Sequence, residues 1–235
     1  MRKLILALMT IGCTVVAGAA PALAAAAGVD AFCRANVAVD AAAEGPNPRL
    51  LQRLADTAPD EIADTVDAAV ATFGDEGEAA FEDPTFQSQI SDIDQFVIDE
   101  CGYRAVDVTM RDYAFDGIPK TLKKGVVAFD LRNEGTEVHE FTVGRLKGNA
   151  TLDDLLKLPD DASEKAVGKL MQPVPGGGFA FPGDTDLALI TLTKPGRYVA
   201  LCFIPVGSTP EAGDEGGSGP PHFHEGMAAQ FRVKS

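Results

Sequence analysis

The chain contains no tryptophan and only three tyrosines, so phenylalanine must supply most of the aromatic surface of any core. Basic residues are scarce. Lys and Arg total 20 against 35 Asp and Glu, leaving a net charge of −15. That deficit argues against nucleic acid, whose phosphates need Lys and Arg, and against an anionic membrane surface. Histidine is rarer still, at three, which makes the position of each informative. Beyond the N-terminus no apolar run is long enough to cross a bilayer. Catalytic signatures are sparse too. Ser208 and Ser218 have no G-x-S-x-G setting. Gly176-Gly177-Gly178 is not followed by a phosphate-loop Lys and reads as a turn. The many acids form no recognisable pair for acid–base work.

What is present begins with a leader. Met1-Arg2-Lys3 precedes an apolar stretch from Leu4 to Gly18, and Ala22-Leu23-Ala24 follows Pro21. A short basic start, a short apolar run and an A-x-A site predict a signal peptide over 1–24, cleaved after Ala24. The alternative is lipoprotein processing at Cys13, after Thr10-Ile11-Gly12, although Thr10 stands where such signals carry Leu. Cleavage removes two basic residues and no acid, so the mature charge moves from −15 to −17. The expectation is an exported protein without a membrane span, either extracellular or in the periplasm or cell envelope.

Cleavage also removes Cys13 and leaves Cys33, Cys101 and Cys202, an odd number for an oxidising compartment. One disulfide and one leftover thiol is the simplest account. Cys33 and Cys101 sit at the two ends of a segment, 25–102, whose apolar residues follow three- and four-residue steps. Leu50, Leu54, Ile62, Val66, Val70 and Phe73 form one such series, and Phe86, Ile90, Ile93 and Val97 form another. Val29, Phe32, Cys33 and Val37 give a first helix. Asp83-Pro84 is a helix start, and Thr57 is expected to cap another, with Pro59 in its first turn. A bundle this small buries little core, so a Cys33–Cys101 tie suits it.

After Gly102 the period becomes two. Val106–Met110, Val127–Leu131, Val138–Arg145, Leu187–Thr193, Tyr198–Ile204 and Ala228–Val233 read as strands, separated by turns such as Asp116-Gly117 and Pro195-Gly196. They predict an antiparallel sandwich over 103–235, making an α+β chain of two parts. Two excursions interrupt it: a helical insertion at 148–172, with Thr151 and Ser163 as N-caps, and a Gly/Pro-rich loop at 205–221.

All three histidines, His139, His222 and His224, lie in this strand region with Cys202, and Met227 follows closely. His, Cys, His and Met are the ligand types of a mononuclear blue-copper site. His139 shares strand phase with Phe141 and Val143, which points it inward. With these residues in this order, the region resembles the cupredoxins, in particular the plastocyanin-like secreted group. The resemblance rests on Asn133-Glu134-Gly135-Thr136-Glu137-Val138-His139-Glu140-Phe141, on Pro195 to Cys202, and on Pro221-His222 to Gly226-Met227. It implies a Greek-key sandwich and one copper held by His139, Cys202, His222 and Met227, with His224 as an alternative ligand. It further implies electron transfer or copper handling with a redox partner protein. The chain departs from the family in two places. Nineteen residues separate Cys202 from His222, where compact members have only a few, and Glu140 stands where the family often has Asn. Two other readings remain open. One is a metal-free interaction module at the cell envelope. The other is a copper- or zinc-dependent enzyme built on the three histidines.

Overall fold

The computed structural model describes residues 20–42, 45–210 and 216–235. The predicted leader lies outside these, apart from residues 20–24, and so does Cys13. Four helices come first: α1 (Ala20–Asp40), α2 (Pro48–Thr57), α3 (Ala63–Glu76) and α4 (Pro84–Glu100). Local chemistry sets their starts. The Asn47 side chain accepts from the Arg49 and Leu50 amides ahead of Pro48, and Asp83 accepts from Thr85 ahead of Pro84. Thr57 does not cap α3. It ends α2, where its hydroxyl donates back to the Arg53 and Leu54 carbonyls. The chain then turns through Pro59 before α3 begins beyond Ile62. Cys33 of α1 and Cys101 at the end of α4 are bonded, with Cα atoms 5.6 Å apart. Among the described residues, no helix is long and apolar enough to cross a membrane.

Among the described residues nine strands follow, in two sheets. They are β1 (Arg104–Arg111), β2 (Ala114–Asp116), β3 (Thr121–Lys123), β4 (Gly125–Asn133), β5 (His139–Leu146), β6 (Met171–Ala180), β7 (Thr185–Leu192), β8 (Gly196–Leu201) and β9 (Ala228–Lys234). One sheet runs β2-β1-β4-β7 and the other β3-β9-β8-β5-β6. The sandwich is mixed rather than wholly antiparallel, because β1 pairs parallel with β4 and β3 parallel with β9. The alternation explains the layering. Val127, Phe129 and Leu131 of β4 and Ile190 and Leu192 of β7 face Phe141, Val143, Tyr198 and Phe231 across the sandwich. The intervening Ala128, Leu187 and Leu189 face outward and are buried under Phe32, Val66, Ile93 and Val97 of the helices. On the opposite sheet, Val199 and Leu201 are covered by Leu155 of the 148–172 excursion. That excursion forms α5 (Leu152–Leu156) and α6 (Glu164–Leu170). Thr151 and Asp154 form a capping box, whereas Ser163 occupies the N-cap of α6 without a side-chain bond.

Strand β6 corrects the reading of Gly176-Gly177-Gly178 as a turn, since these residues lie within a strand paired with β5. The strand carries Pro173 and Pro175, which cannot donate to a ladder. It is tolerated because β6 lies at a sheet edge. A side chain at Gly178 would meet Leu131 and Asp186, so the strand approaches its neighbours closely there.

Candidate metal centre

His139 is the first residue of β5, and Cys202 is the residue immediately after β8 rather than within the strand. β5 and β8 are paired neighbours, with Thr142 opposite Leu201, which brings the two residues to one end of the sandwich. His222 arrives from the far side of the long loop. Its amide donates to the Ile204 carbonyl, and the Phe223 amide donates to the Cys202 carbonyl. The loop between closes on itself through a bridge from Pro205 to Pro221 and through the Val206 and Gly219 amides. The base of this loop therefore holds Cys202 and His222 together across their nineteen-residue separation.

The three side chains converge, and all are fully buried. Their ligand atoms lie within 4.8 Å of one another, so the group could hold a metal ion. The two Nδ1 atoms are 3.1 Å apart, and Cys202 Sγ is 3.4 Å from His222 Nδ1. The outward-facing Nε2 atoms meet carboxylates. His139 Nε2 is 3.2 Å from Asp112 Oδ1, and His222 Nε2 is 2.9 Å from Glu137 Oε2. A thiolate with two imidazoles is a soft donor set, suited to copper or zinc rather than to hard cations.

Each remaining sequence candidate falls in a definite place. Met227 is buried in the same core cluster as Cys202, and its carbonyl accepts from the Cys202 amide at 3.3 Å. His224 does not join the group. It turns to the 148–172 excursion, where Nδ1 lies 2.7 Å from Asp160. Glu140 braces the site in the position where Asn was the expected residue. Its carboxylate accepts from the Phe203 amide at 2.7 Å, while its own amide donates to Cys202 Sγ at 3.4 Å. Asn133, also buried, donates to the Glu137 and Ala180 carbonyls and accepts from the Gly135 amide, which shapes the turn before His139. That turn admits only glycine at 135, because a Cβ there would stand 2.7 Å from His139 Nε2.

Electrostatics follow from burial. Burial and then the neighbouring His222 push His139 down to about 4, so it is neutral at physiological pH. Burial pushes the Cys202 thiol up to about 12, so a metal must displace its proton on binding. Burial would raise Asp112, but hydrogen bonds from Thr136 and Glu137 outweigh it and leave the carboxyl below its ordinary range. Glu137 behaves alike, with the Gly207 amide, Tyr113 and His222 outweighing burial.

Sequence reasoning missed Asp112, Glu137, Asn133 and Tyr113. Glu137 is two residues from His139, which was a usable signal. Asp112 and Tyr113 lie in the β1–β2 turn, and nothing in their local sequence marks them.

No family model and no curated protein matches the sequence. Solved structures do. A multicopper oxidase is 11% identical, with a TM-score of 0.30, over 56% of this chain and 44% of that one. A laccase from Pediococcus acidilactici is 14% identical, with a TM-score of 0.32, over 57% of this chain and 27% of that one. Auracyanin A from Chloroflexus aurantiacus, described as a "blue" copper protein, is 16% identical over 57% of this chain and all of its own, with a TM-score of 0.35. The dithionite-reduced auracyanin of Roseiflexus castenholzii is 18% identical over 56% of this chain and 97% of its own, with a TM-score of 0.36.

Proposed function

We propose that the protein is an exported copper-binding protein of cupredoxin type, in which His139, Cys202, His222 and Met227 would hold one copper ion. In this reading residues 25–102 form a helical part, and 103–235 form the part that carries the site. The observation that supports it is the convergence of one thiol and two imidazole Nδ1 atoms in a fully buried cluster. Bound copper supplies one-electron chemistry. The chain supplies a rigid mount, since His139 starts a paired strand and Cys202 is pinned by amides from Glu140 and Phe223. Such a mount keeps the ligand geometry constant between oxidation states, which suits electron transfer to a redox partner protein or the storage of copper. Full burial of all three side chains favours this over substrate turnover, which needs an open coordination position. The convergence also counts against the metal-free module, which gives no reason for these side chains to meet.

The test is a visible spectrum of the purified, reduced protein during Cu(II) titration. An intense thiolate-to-copper band saturating at one equivalent supports the site, and its loss in Cys202→Ser assigns the sulfur. A colourless protein without stoichiometric binding refutes it.

A further inference from the structure

The two carboxylates behind the histidines carry more than packing. A carboxylate only accepts hydrogen bonds. Contacts of 3.2 Å from Asp112 to His139 Nε2 and 2.9 Å from Glu137 to His222 Nε2 therefore require a proton on each Nε2. In a neutral imidazole that places the lone pair on Nδ1. The two Nδ1 lone pairs then face each other across 3.1 Å, beside Cys202 Sγ, with no proton of their own between them. The Cys202 thiol proton can satisfy one of these lone pairs, whereas a cation among the three atoms satisfies both.

The carboxylates are themselves held. Asp112 accepts from the Thr136 amide at 2.9 Å, the Thr136 hydroxyl at 2.7 Å and the Glu137 amide at 3.2 Å. Glu137 accepts from the Tyr113 hydroxyl at 2.9 Å and the Gly207 amide at 2.6 Å. The Tyr113 ring also packs edge-on against His222, with centroids 5.2 Å apart. Tyr113 adopts φ of 69°, a left-handed conformation that is strained for a tyrosine. The braces come from residues 112–113 between β1 and β2, from 136–137 before β5, and from Gly207 of the long loop.

We propose that Asp112 and Glu137 are positioning residues that fix His139 and His222 as Nε2–H tautomers, aim both Nδ1 lone pairs at one cation, and favour the more highly charged state of a bound metal. The redox part rests on the copper reading above, whereas the tautomer part does not. Orienting carboxylates of this kind raise ligand basicity, and their loss typically costs about 10–100-fold in metal affinity. Two negative charges close to the ion stabilise Cu(II) more than Cu(I), so removing either raises the reduction potential.

The experiment has two arms. In the metal-free protein at mildly alkaline pH, imidazole 15N NMR reads the tautomers. Protonated Nε2 on both rings is expected, and an unprotonated Nε2 on either ring overturns the positioning role whether or not copper binds. In the copper-loaded protein, Asp112→Asn and Glu137→Gln are compared with the charge-keeping Asp112→Glu and with Tyr113→Phe. The Asn and Gln variants are expected to shift the oxidised-to-reduced equilibrium by about tenfold or more, which is about 59 mV for one electron. Asp112→Glu is expected to keep the parent potential, and Tyr113→Phe to move it by less than Glu137→Gln does. Asn and Gln variants with an intact thiolate–copper band and an unmoved potential overturn the redox part. A stability loss alone is what a merely structural role predicts.

Discussion

Asp40 closes α1 against the sandwich, and its carboxylate accepts a hydrogen bond from the Leu189 amide of β7 at 3.1 Å. Asp186 of β7 and Asp94 of α4 lie nearby, and burial raises both of these carboxyls as well. Burial, and then the charge of Asp186, lift Asp40 from 3.8 to about 8. The sign follows from proton counting. Between about pH 4 and pH 8 the folded chain keeps a proton on Asp40 that the unfolded chain has lost, so stability falls as pH rises through this window and levels off above it. One pKa unit is worth about 1.4 kcal/mol, so the rise from 3.8 toward neutrality costs at most about 4 kcal/mol at pH 7. Solvent reaching this half-buried seam lowers the expected figure to about 2–3 kcal/mol. Asp40→Asn keeps an oxygen for the Leu189 amide and removes the charge. The variant is therefore expected to match the parent at acid pH and to exceed its stability by that amount near pH 8. For a domain of this size each kcal/mol moves Tm by about 2–4 °C. Thermal melts of both proteins across the range provide the assay. Parallel Tm profiles, or a larger gain at acid than at alkaline pH, refute the reasoning.

Three further outcomes are expected. Replacing Cys33 and Cys101 by Ser opens a tie spanning 68 residues and should cost about 4 kcal/mol in urea unfolding, while leaving the spectrum of the copper-loaded protein unchanged. His224→Ala should bind Cu(II) with the parent stoichiometry and band, because its imidazole faces Asp160 rather than the cluster; loss of the band would make it a ligand. Gly178→Val should destabilise by about 1–3 kcal/mol through overpacking against Leu131 and Asp186, measured by denaturant midpoint.

Much of the architecture was legible because it is written in local period. Three- and four-residue spacing marked the helices, alternation marked six of the strands, and Asp83 and Thr151 announced helix starts that the structure contains. The short strands β2 and β3 were not legible, since three residues are too few to show a period. Nor was β6, whose Pro and Gly content signals a turn wherever the edge position is unknown. The parallel pairings were invisible for a similar reason: alternation says which face is buried and not which neighbour lies alongside.

At the candidate site the division is equally clear. The resemblance to the cupredoxins, resting on residue chemistry and order, singled out His139, Cys202, His222 and Met227, with His224 as an alternative, and the structure brings the first three together. The odd cysteine count implied one disulfide and one leftover thiol, and their places in the helical segment paired Cys33 with Cys101, as the structure shows. Only tertiary structure decided that His224 faces away, that Glu140 braces the Phe203 amide, and that Asp112 and Glu137 back the two rings. The physical reason is range. Asp112 is 27 residues from His139, and Glu137 is 85 from His222, so their pairing depends on sheet register and on the closed base of the 205–221 loop, which no local pattern encodes.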